Sequence, residues 1–256
     1  EGLVYLVYGG FLPPISQVNL TATSPTVADP SVSALAIPGA TPPQVAGFQM
    51  GGEFREMRFG SAVAFGDFDG DGRDDFAIAA PRRLNDVVAG RVYLVQGDPA
   101  FQFQVGLKAL RKFGRMITVV GPDRPADVRF GEAVLFLDFD NDGREDLVMG
   151  SPRAGAGGEV HILYGQDFTS NTLIAGQPPP STATLMTTIV AEAAGDHFGA
   201  ALAAGDLSVD GRPDLIVGSP LSDGFAGDTG KVFVFYGADR DTTAGLPLPA
   251  NVALTN

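Results

Sequence analysis

The chain contains no cysteine and no tryptophan, and only two of its 256 residues are histidine. The lack of cysteine excludes disulfide bonds, thiolate metal sites and a cysteine nucleophile. Positive charge is also scarce, because 17 Lys and Arg residues stand against 30 Asp and Glu residues, giving a net charge of −13. We therefore expect neither a nucleic-acid backbone nor an anionic membrane as a partner, and cations suit this charge better.

Long apolar runs are also lacking. The apolar run within "EAVLFLDF" at 132–139 is interrupted by Asp138 after a few positions, far short of the ~20 apolar residues that a membrane helix needs. The sequence therefore predicts no direct membrane insertion. The chain does not begin with methionine and has no signal-peptide pattern at its start, so we expect residue 1 to be an internal position of a longer or processed chain.

Three segments of the chain, 58–81, 129–152 and 197–220, align with one another without a gap. In each segment a phenylalanine lies eight residues before the first aspartate, and the last aspartate lies six residues before a proline. Such fixed spacing indicates an internal repeat, in which each copy forms the same supersecondary unit.

A short apolar run bounded by glycine follows each repeat, at 90–97, 158–165 and 230–237. These runs, and others rich in β-formers within one period, predict four strands per unit. The period is 71 residues and then 68, measured between the first aspartates of successive repeats. The predicted fold class is all-β, a β-propeller built of four-stranded blades. A β-sandwich is the alternative, but its strands need not recur with identical spacing.

The first blade is expected to be incomplete. Residues 1–10 match the run that forms the third strand of the other blades, and a fourth strand is expected near 44–51, but nothing supplies the first two strands. Residues 250–255 are the candidate for a last strand. We therefore expect about three and a half blades in one propeller region, 1–256, whose ring is incomplete in this chain. The predicted boundaries are a partial blade with a long loop at 1–58, then blades at 59–128, 129–196 and 197–256.

The stretch "DFDGDGRDD" at 67–75 carries five aspartates in nine residues. Carboxylates at loop positions 1, 3 and 5 can point to one side, and glycine at position 6 permits the turn. The carbonyl of position 7 can then face inward, and the aspartate at position 9 closes the shell. Such an all-oxygen cage suits a hard cation such as Ca²⁺.

The same pattern recurs in the other two repeats, so up to three Ca²⁺ ions are predicted. The predicted ligands are Asp67, Asp69, Asp71, the carbonyl of Arg73 and Asp75; Asp138, Asp140, Asp142, the carbonyl of Arg144 and Asp146; and Asp206, Ser208, Asp210, the carbonyl of Arg212 and Asp214. Because Ser208 replaces a carboxylate, we expect the third site to bind most weakly.

The acidic loops also resemble two other kinds of structure. An EF-hand needs a Glu at position 12 and flanking helices, whereas these loops have Ile78, Met149 or Val217 there and strands on both sides. Aspartate and glycine also favour tight hairpin turns that hold no metal. Three copies with carboxylates at the same alternate positions favour metal, with a structural role for each ion within its own blade.

The combined motif resembles the FG-GAP repeat, the repeat of the integrin α-subunit propeller and its bacterial relatives. The residues that carry the resemblance are the Phe-Gly pairs that begin at Phe59, Phe130 and Phe198, and the Ala-Pro or Gly-Ser-Pro runs that end at Pro81, Pro152 and Pro220. The resemblance implies a propeller, Ca²⁺ in hairpin loops on one face, an extracellular or cell-surface setting, and adhesion or protein binding through the opposite face.

The sequence is compatible with two functions. The first is a non-enzymatic calcium-stabilised propeller for protein binding, adhesion or scaffolding, with a protein partner that completes the ring or a surface assembly. The second is a propeller region attached to a secreted hydrolase such as a phospholipase, with catalysis elsewhere. The location expected is extracellular, cell-surface or periplasmic, because Ca²⁺ is abundant there. Charged loops on the opposite face are expected either to receive an acidic partner or only to be solvated; they carry Arg82, Arg83, Asn85, Asp123, Arg124, Arg153, Asp223 and Phe225.

Overall fold

A computed structural model describes part of the chain, and all structural statements below concern that part. The described residues are 3–7, 32–36, 45–54, 56–82, 90–97, 114–122, 128–168, 172–174, 186–191, 193–223, 227, 229–239 and 251–254. No helix in these ranges is both long and apolar enough to span a bilayer.

Strands account for all the regular secondary structure of the described residues. The strands are β1 (Leu3–Val7), β2 (Val32–Ala36), β3 (Val45–Gly51), β4 (Val63–Gly66), β5 (Asp75–Ala80), β6 (Arg91–Val95), β7 (Met116–Val120), β8 (Val134–Leu137), β9 (Asp146–Ser151), β10 (Glu159–Leu163), β11 (Thr172–Ile174), β12 (Met186–Val190), β13 (Ala201–Gly205), β14 (Asp214–Ser219), β15 (Lys231–Phe235) and β16 (Asn251–Ala253).

These strands form four sheets that correspond to the predicted blades. The first blade has the order β1-β3-β2, the second contains β4 to β7, the third contains β8, β9, β10 and β12, and the fourth contains β13 to β15. Within the second, third and fourth blades, consecutive strands pair antiparallel. The all-β architecture of incomplete propeller blades is therefore confirmed.

The blades pack face to face through apolar side chains that alternate along the strands. On β9, Leu147 and Met149 belong to a buried cluster with Val92 and Leu94 of the second blade. Val148, between them, belongs to a second cluster that includes Leu215 and Val217 of the fourth blade. Every residue of β9 is buried because the third blade lies between two neighbours.

The Phe-Gly pair closes each of these contacts. Phe130 is fully buried in the cluster between the second and third blades. Gly131 follows it with a φ of 79°, and a Cβ there would lie 2.5 Å from Cγ2 of Val92. The motif therefore needs glycine both for its backbone conformation and for the close approach of two blades.

Two edge strands differ from the expected arrangement. The candidate last strand forms as β16, but it pairs parallel with β12 of the third blade and not with the fourth. In the same way β11 pairs parallel with β7 of the second blade. The outer strands of the second and third blades, β7 and β12, each have an edge of backbone N–H and C=O groups, and a segment of the next repeat occupies it.

The first blade agrees with one strand prediction and differs from another. The pairing of β1 with β3 matches the expected third and fourth strands of the first blade. The Pro-, Ser- and Thr-rich segment 11–44 is predicted to be a long surface loop, but residues 32–36 of this segment form β2, which pairs with β3. The best helix candidate of the sequence, "VGLKALRKFG" at 105–114, is predicted to be a loop decoration and lies almost wholly outside the described residues. The blade boundaries stay predictions.

Candidate metal centres

Each acidic loop joins the first two strands of its blade and is folded by its own carboxylates. The aspartate at position 1 accepts hydrogen bonds from the backbone N–H groups of positions 5 and 6. In the first loop Oδ1 of Asp67 lies 3.0 Å from N of Asp71, and its Oδ2 lies 2.9 Å from N of Gly72. Asp138 and Asp206 make the same pair of contacts in their loops.

The second half of each loop is held in an equally regular way. The carboxylate at position 5 accepts the N–H of position 7, as from Arg73 to Asp71 at 3.0 Å. Equivalent bonds form in the second and third loops. The glycine at position 6 has a φ of 82°, 87° or 86° in the three loops. This is a left-handed backbone conformation that any residue with a side chain would disfavour. Residues within nine positions of one another therefore determine this shape.

This folding gathers three carboxylates in each of the first two loops. Oxygen atoms of Asp67, Asp69 and Asp71 all lie within 4.8 Å of one another, and the same holds for Asp138, Asp140 and Asp142. Like charges at this separation repel, so a cation among them would lower the electrostatic energy. The donors are all oxygen atoms, which fits Ca²⁺ and not a metal that prefers nitrogen or sulfur.

The aspartate at position 9 is placed differently from the other predicted ligands. Asp75 is fully buried, and its carboxylate accepts the N–H of Phe68 at 3.0 Å and of Gly97 at 2.7 Å. Asp146 binds Phe139 and Gly165 in the same way. The residue thus ties the loop to the end of the third strand of its blade. Asp214 does this in the fourth blade.

Burial shifts the titration of these aspartates. Burial, together with the nearby charge of Asp69, raises the pKa of Asp75 to about 7. Burial and the charge of Asp140 raise the pKa of Asp146 to about 8. Both groups would titrate lower with a cation in the cluster, because opposite charge favours the ionised carboxylate.

The side chains at position 7 bind acidic groups. Arg73 and Arg212 form ion pairs with the position-5 aspartates of their own loops, whereas Arg144 reaches Asp167 at 3.2 Å. These pairs are largely exposed and contribute little to stability. The role of the position-7 carbonyls as ligands stays a prediction.

The third loop keeps the fold of the other two but not their charge. It carries Asp206 and Asp210 with Ser208 between them, and among the described residues only the first two loops form groups of three acidic side chains. A backbone hydrogen bond from Arg212 lowers the pKa of Asp210, whereas burial raises that of Asp138 in the second loop. The expected weaker binding by the third loop stays a prediction.

The third loop also carries backbone strain. Position 4 has a left-handed backbone in every loop, with a φ of 74° at Gly70, 52° at Asn141 and 58° at Val209. Glycine and asparagine tolerate this conformation, but a β-branched residue adopts it only with strain. Since the Val209 side chain is 85% exposed, packing does not offset the strain.

We therefore expect Val209→Asn to raise the free energy of unfolding by about 1 kcal/mol, because it relieves this strain without adding a flexible glycine. Chemical denaturation of the two proteins in the same buffer measures the difference. Val209→Thr is the matched control, since it is polar but still β-branched, and we expect it to give no gain. An equal gain from threonine would assign the effect to surface polarity.

Contacts between neighbouring loops were not foreseen from the sequence. Oε2 of Glu145 accepts the N–H of Asp67 at 2.8 Å, and its own N–H donates to the Asp67 carbonyl, which joins the second loop to the first. Pro213 stands at the equivalent position of the third loop and can make neither bond. There Asp239 instead accepts hydrogen bonds from Asn141 and Arg212.

One further contact reaches a predicted ligand. Nε2 of Gln96 donates to Oδ2 of Asp69 at 2.7 Å. Gln96 lies at the end of the third strand, where the other blades have Tyr164 and Tyr236. No motif in the sequence marks Gln96, Glu145 or Asp239. Their contacts with the acidic loops are seen only in the folded structure.

Comparison with known proteins gives a consistent family relationship. The model of the FG-GAP repeat matches residues 59–95, 130–163 and 198–235. Each match begins at a Phe-Gly pair and includes the acidic loop and the next two strands of a blade.

Several curated proteins are similar over most of this chain. Phosphatidylinositol-glycan-specific phospholipase D of Homo sapiens is 30% identical over 193 residues, which cover 72% of this chain and 21% of that protein. Integrin alpha pat-2 of Caenorhabditis elegans is 29% identical over 203 residues, covering 76% of this chain and 15% of that protein. Integrin alpha-PS2 of Drosophila melanogaster is 31% identical over 205 residues, covering 69% and 12% respectively. The chain thus spans about a fifth or less of the length of these relatives.

Proposed function

Because this chain is an FG-GAP repeat protein that resembles the integrin α propeller, we propose that it is a non-enzymatic, calcium-stabilised β-propeller region. Its role is protein binding, adhesion or scaffolding in an extracellular or cell-surface assembly. The observation that carries the calcium part is the convergence of three carboxylates, within 4.8 Å, at the same positions of two loops.

The bound ions would stabilise the fold of the blades. Each would neutralise carboxylates at the turn between the first two strands, while the buried position-9 aspartate holds the same turn to the third strand. A bound ion would therefore stabilise a whole blade by favouring the folded loop over the unfolded chain. Loops of this kind fill at the Ca²⁺ concentration outside cells, which supports an extracellular, cell-surface or periplasmic location.

Calorimetric titration of the metal-free protein with Ca²⁺ tests this proposal. We expect two stronger sites, from the first and second loops, and a weaker third one. Asp69→Ser gives the first loop the pattern of the third, so it is expected to weaken one strong site about tenfold or more, since ligand charge sets affinity. Mg²⁺ is expected to bind more weakly, because it requires a tighter octahedral shell.

Asp74→Ser is the matched control. It removes the same charge from the same loop, but Asp74 is exposed and is not a proposed ligand. Equal losses from the two variants would indicate unspecific attraction to an acidic surface. Titration without saturable heat would contradict the calcium proposal itself.

The fourth blade supports the proposal of a protein partner. Val232 and Val234 on β15 are 69% and 40% exposed, whereas Val92 and Leu94 at the equivalent positions of β6 are buried by the third blade. An exposed apolar sheet face of this kind is typical of an interaction surface. We propose that this face is covered by a further blade-like sheet, which continues the ring.

Native mass spectrometry at micromolar concentration in Ca²⁺ checks this. We expect masses above one chain, because the uncovered face pairs with another copy when no other sheet is available. A monodisperse monomer with a closed four-bladed ring would contradict the proposal.

The second candidate is a propeller region within a secreted hydrolase. The similarity to phosphatidylinositol-glycan-specific phospholipase D favours this candidate. The similar segment covers only 21% of the length of that protein. In that case catalysis would belong to other parts of the full protein. Release of a phosphatidylinositol-glycan-anchored protein by residues 1–256 alone would contradict the non-enzymatic assignment for this region.

A further inference from the structure

A cleft of about 440 Å³ lies between the second and third blades. It is at the strand ends opposite the acidic loops, because it is formed where β4 and β8 begin and where β5 ends. The residues that line it are Arg58, Ser61, Pro81, Arg82, Arg129 and Glu132.

The charge of this cleft is opposite to that of the chain. Three guanidinium groups and one carboxylate line it, although the chain as a whole has a net charge of −13. A concave site of one sign concentrates the local potential and attracts the opposite charge. The cleft is therefore a place where this acidic protein can bind an anionic group.

The charged side chains of the cleft are not equivalent. Nη1 of Arg129 donates to Oε1 of Glu132 at 2.9 Å, which holds both side chains. No ion pair joins Arg58 or Arg82 to an acidic residue in the described part of the chain. Two exposed guanidinium groups are thus available to an incoming anion.

The cleft also offers one hydrogen-bond acceptor. Oε2 of Glu132 is buried and has no hydrogen-bond partner among the described residues. A buried carboxylate oxygen without a donor costs free energy, so a ligand that donates an N–H group is favoured. The same negative charge disfavours a doubly charged phosphate.

We propose that this cleft binds an acidic side chain, Asp or Glu, in an extended segment of a protein partner. Arg58 and Arg82 bind its carboxylate through charge-assisted hydrogen bonds, and Glu132 accepts a backbone N–H of the same segment. The inference deepens the proposed function by giving the chemistry of the partner. It does not depend on metal binding by the acidic loops.

The neighbouring blade junction provides an internal comparison. Its equivalent positions hold Arg129, Arg153 and His197, with Ala200 where the cleft has Glu132. The full set of three arginines with a carboxylate therefore occurs at one of these two junctions. Arg153, which is exposed, is a charge-matched control on the same face.

Fluorescence anisotropy in Ca²⁺ and 150 mM salt tests the proposal. The probes are a labelled Gly-Ser peptide with a central Asp-Glu pair and the same peptide with Asn-Gln. We expect saturable binding of the acidic peptide and at least tenfold weaker binding of the amide peptide. Arg58→Asn and Arg82→Asn should each weaken binding of the acidic peptide about tenfold, the size of a lost charge-assisted hydrogen bond.

Asparagine is chosen because Arg58 has a φ of 59°, a conformation that asparagine tolerates, so the variant keeps the fold. Arg153 belongs to the loops that the sequence offered to an acidic partner, but it does not line this cleft, so Arg153→Asn is expected to change binding less than twofold. Equal losses from Arg153→Asn, or equal binding of the amide peptide, would overturn the proposal in favour of general electrostatic attraction. Displacement of the peptide by micromolar inorganic phosphate would also overturn it and assign a phosphate site. None of these outcomes bears on the calcium titration.

Discussion

Replacing Phe130 by alanine is expected to lower the free energy of unfolding by about 3–5 kcal/mol, the usual cost of deleting a buried aromatic ring. Phe130 is fully buried in the cluster that joins the second and third blades. Its ring lies 5.5 Å from that of His161 in its own blade. The resulting cavity would therefore weaken both the third blade and its contact with the second. For a chain of this size we expect the unfolding temperature to fall by about 10 °C.

Phe65→Ala is the matched control, since this ring is 52% exposed on β4. It lies in contact with Phe76 but outside the cluster between the blades. Denaturant and thermal unfolding, followed by circular dichroism at one Ca²⁺ concentration, compare the two variants. Similar losses would mean that the Phe-Gly phenylalanine has no special place in the packing of the blades.

Without Ca²⁺, the stability of the protein is expected to fall steeply as the pH rises from about 4 to about 8. The pKa of Asp75 rises from 3.8 to about 7 in the folded protein, and that of Asp146 to about 8. In this range the folded state therefore binds more protons than the unfolded state, so rising pH favours unfolding. The loss begins above the unfolded pKa and is complete above the folded values.

Bound Ca²⁺ should largely remove this dependence, because it favours the ionised carboxylates. Urea unfolding from pH 4 to 9, in excess Ca²⁺ and in chelator, measures both curves. Asp140→Asn is the matched variant, since the charge of Asp140 raises the pKa of Asp146. In chelator it should shift the loss of stability to lower pH and reduce its size. A metal-free protein with constant stability across this range would contradict the burial argument.

Much of the candidate site could be predicted because its geometry is local. The contacts of Asp67 with the N–H groups of Asp71 and Gly72 span four and five residues. Such contacts depend on the spacing of aspartate and glycine alone, so the three loops have the same shape wherever the pattern occurs. The strand content could be predicted for the same reason, since alternating apolar residues specify a strand packed between two neighbours.

The role of the position-9 aspartate could be predicted only in part. The sequence places Asp75 and Asp146 at the end of the acidic pattern and so suggests a ligand. The structure shows that each binds the backbone at the end of the third strand, through Gly97 and Gly165. That strand end lies about twenty residues further along the chain, and its position depends on the pairing of the whole blade.

The repeat, the all-β blades and the acidic loops could thus be predicted from the sequence, because they follow from residue spacing and from interactions within a few residues. The edges that β11 and β16 join could be learned only from the folded arrangement of the blades, since a free strand edge accepts any nearby strand with matching register. The fold also brings Glu145 into contact with Asp67, 78 residues earlier. The arginine cleft has the same origin, because Arg58 and Arg129 become neighbours only when two blades pack together.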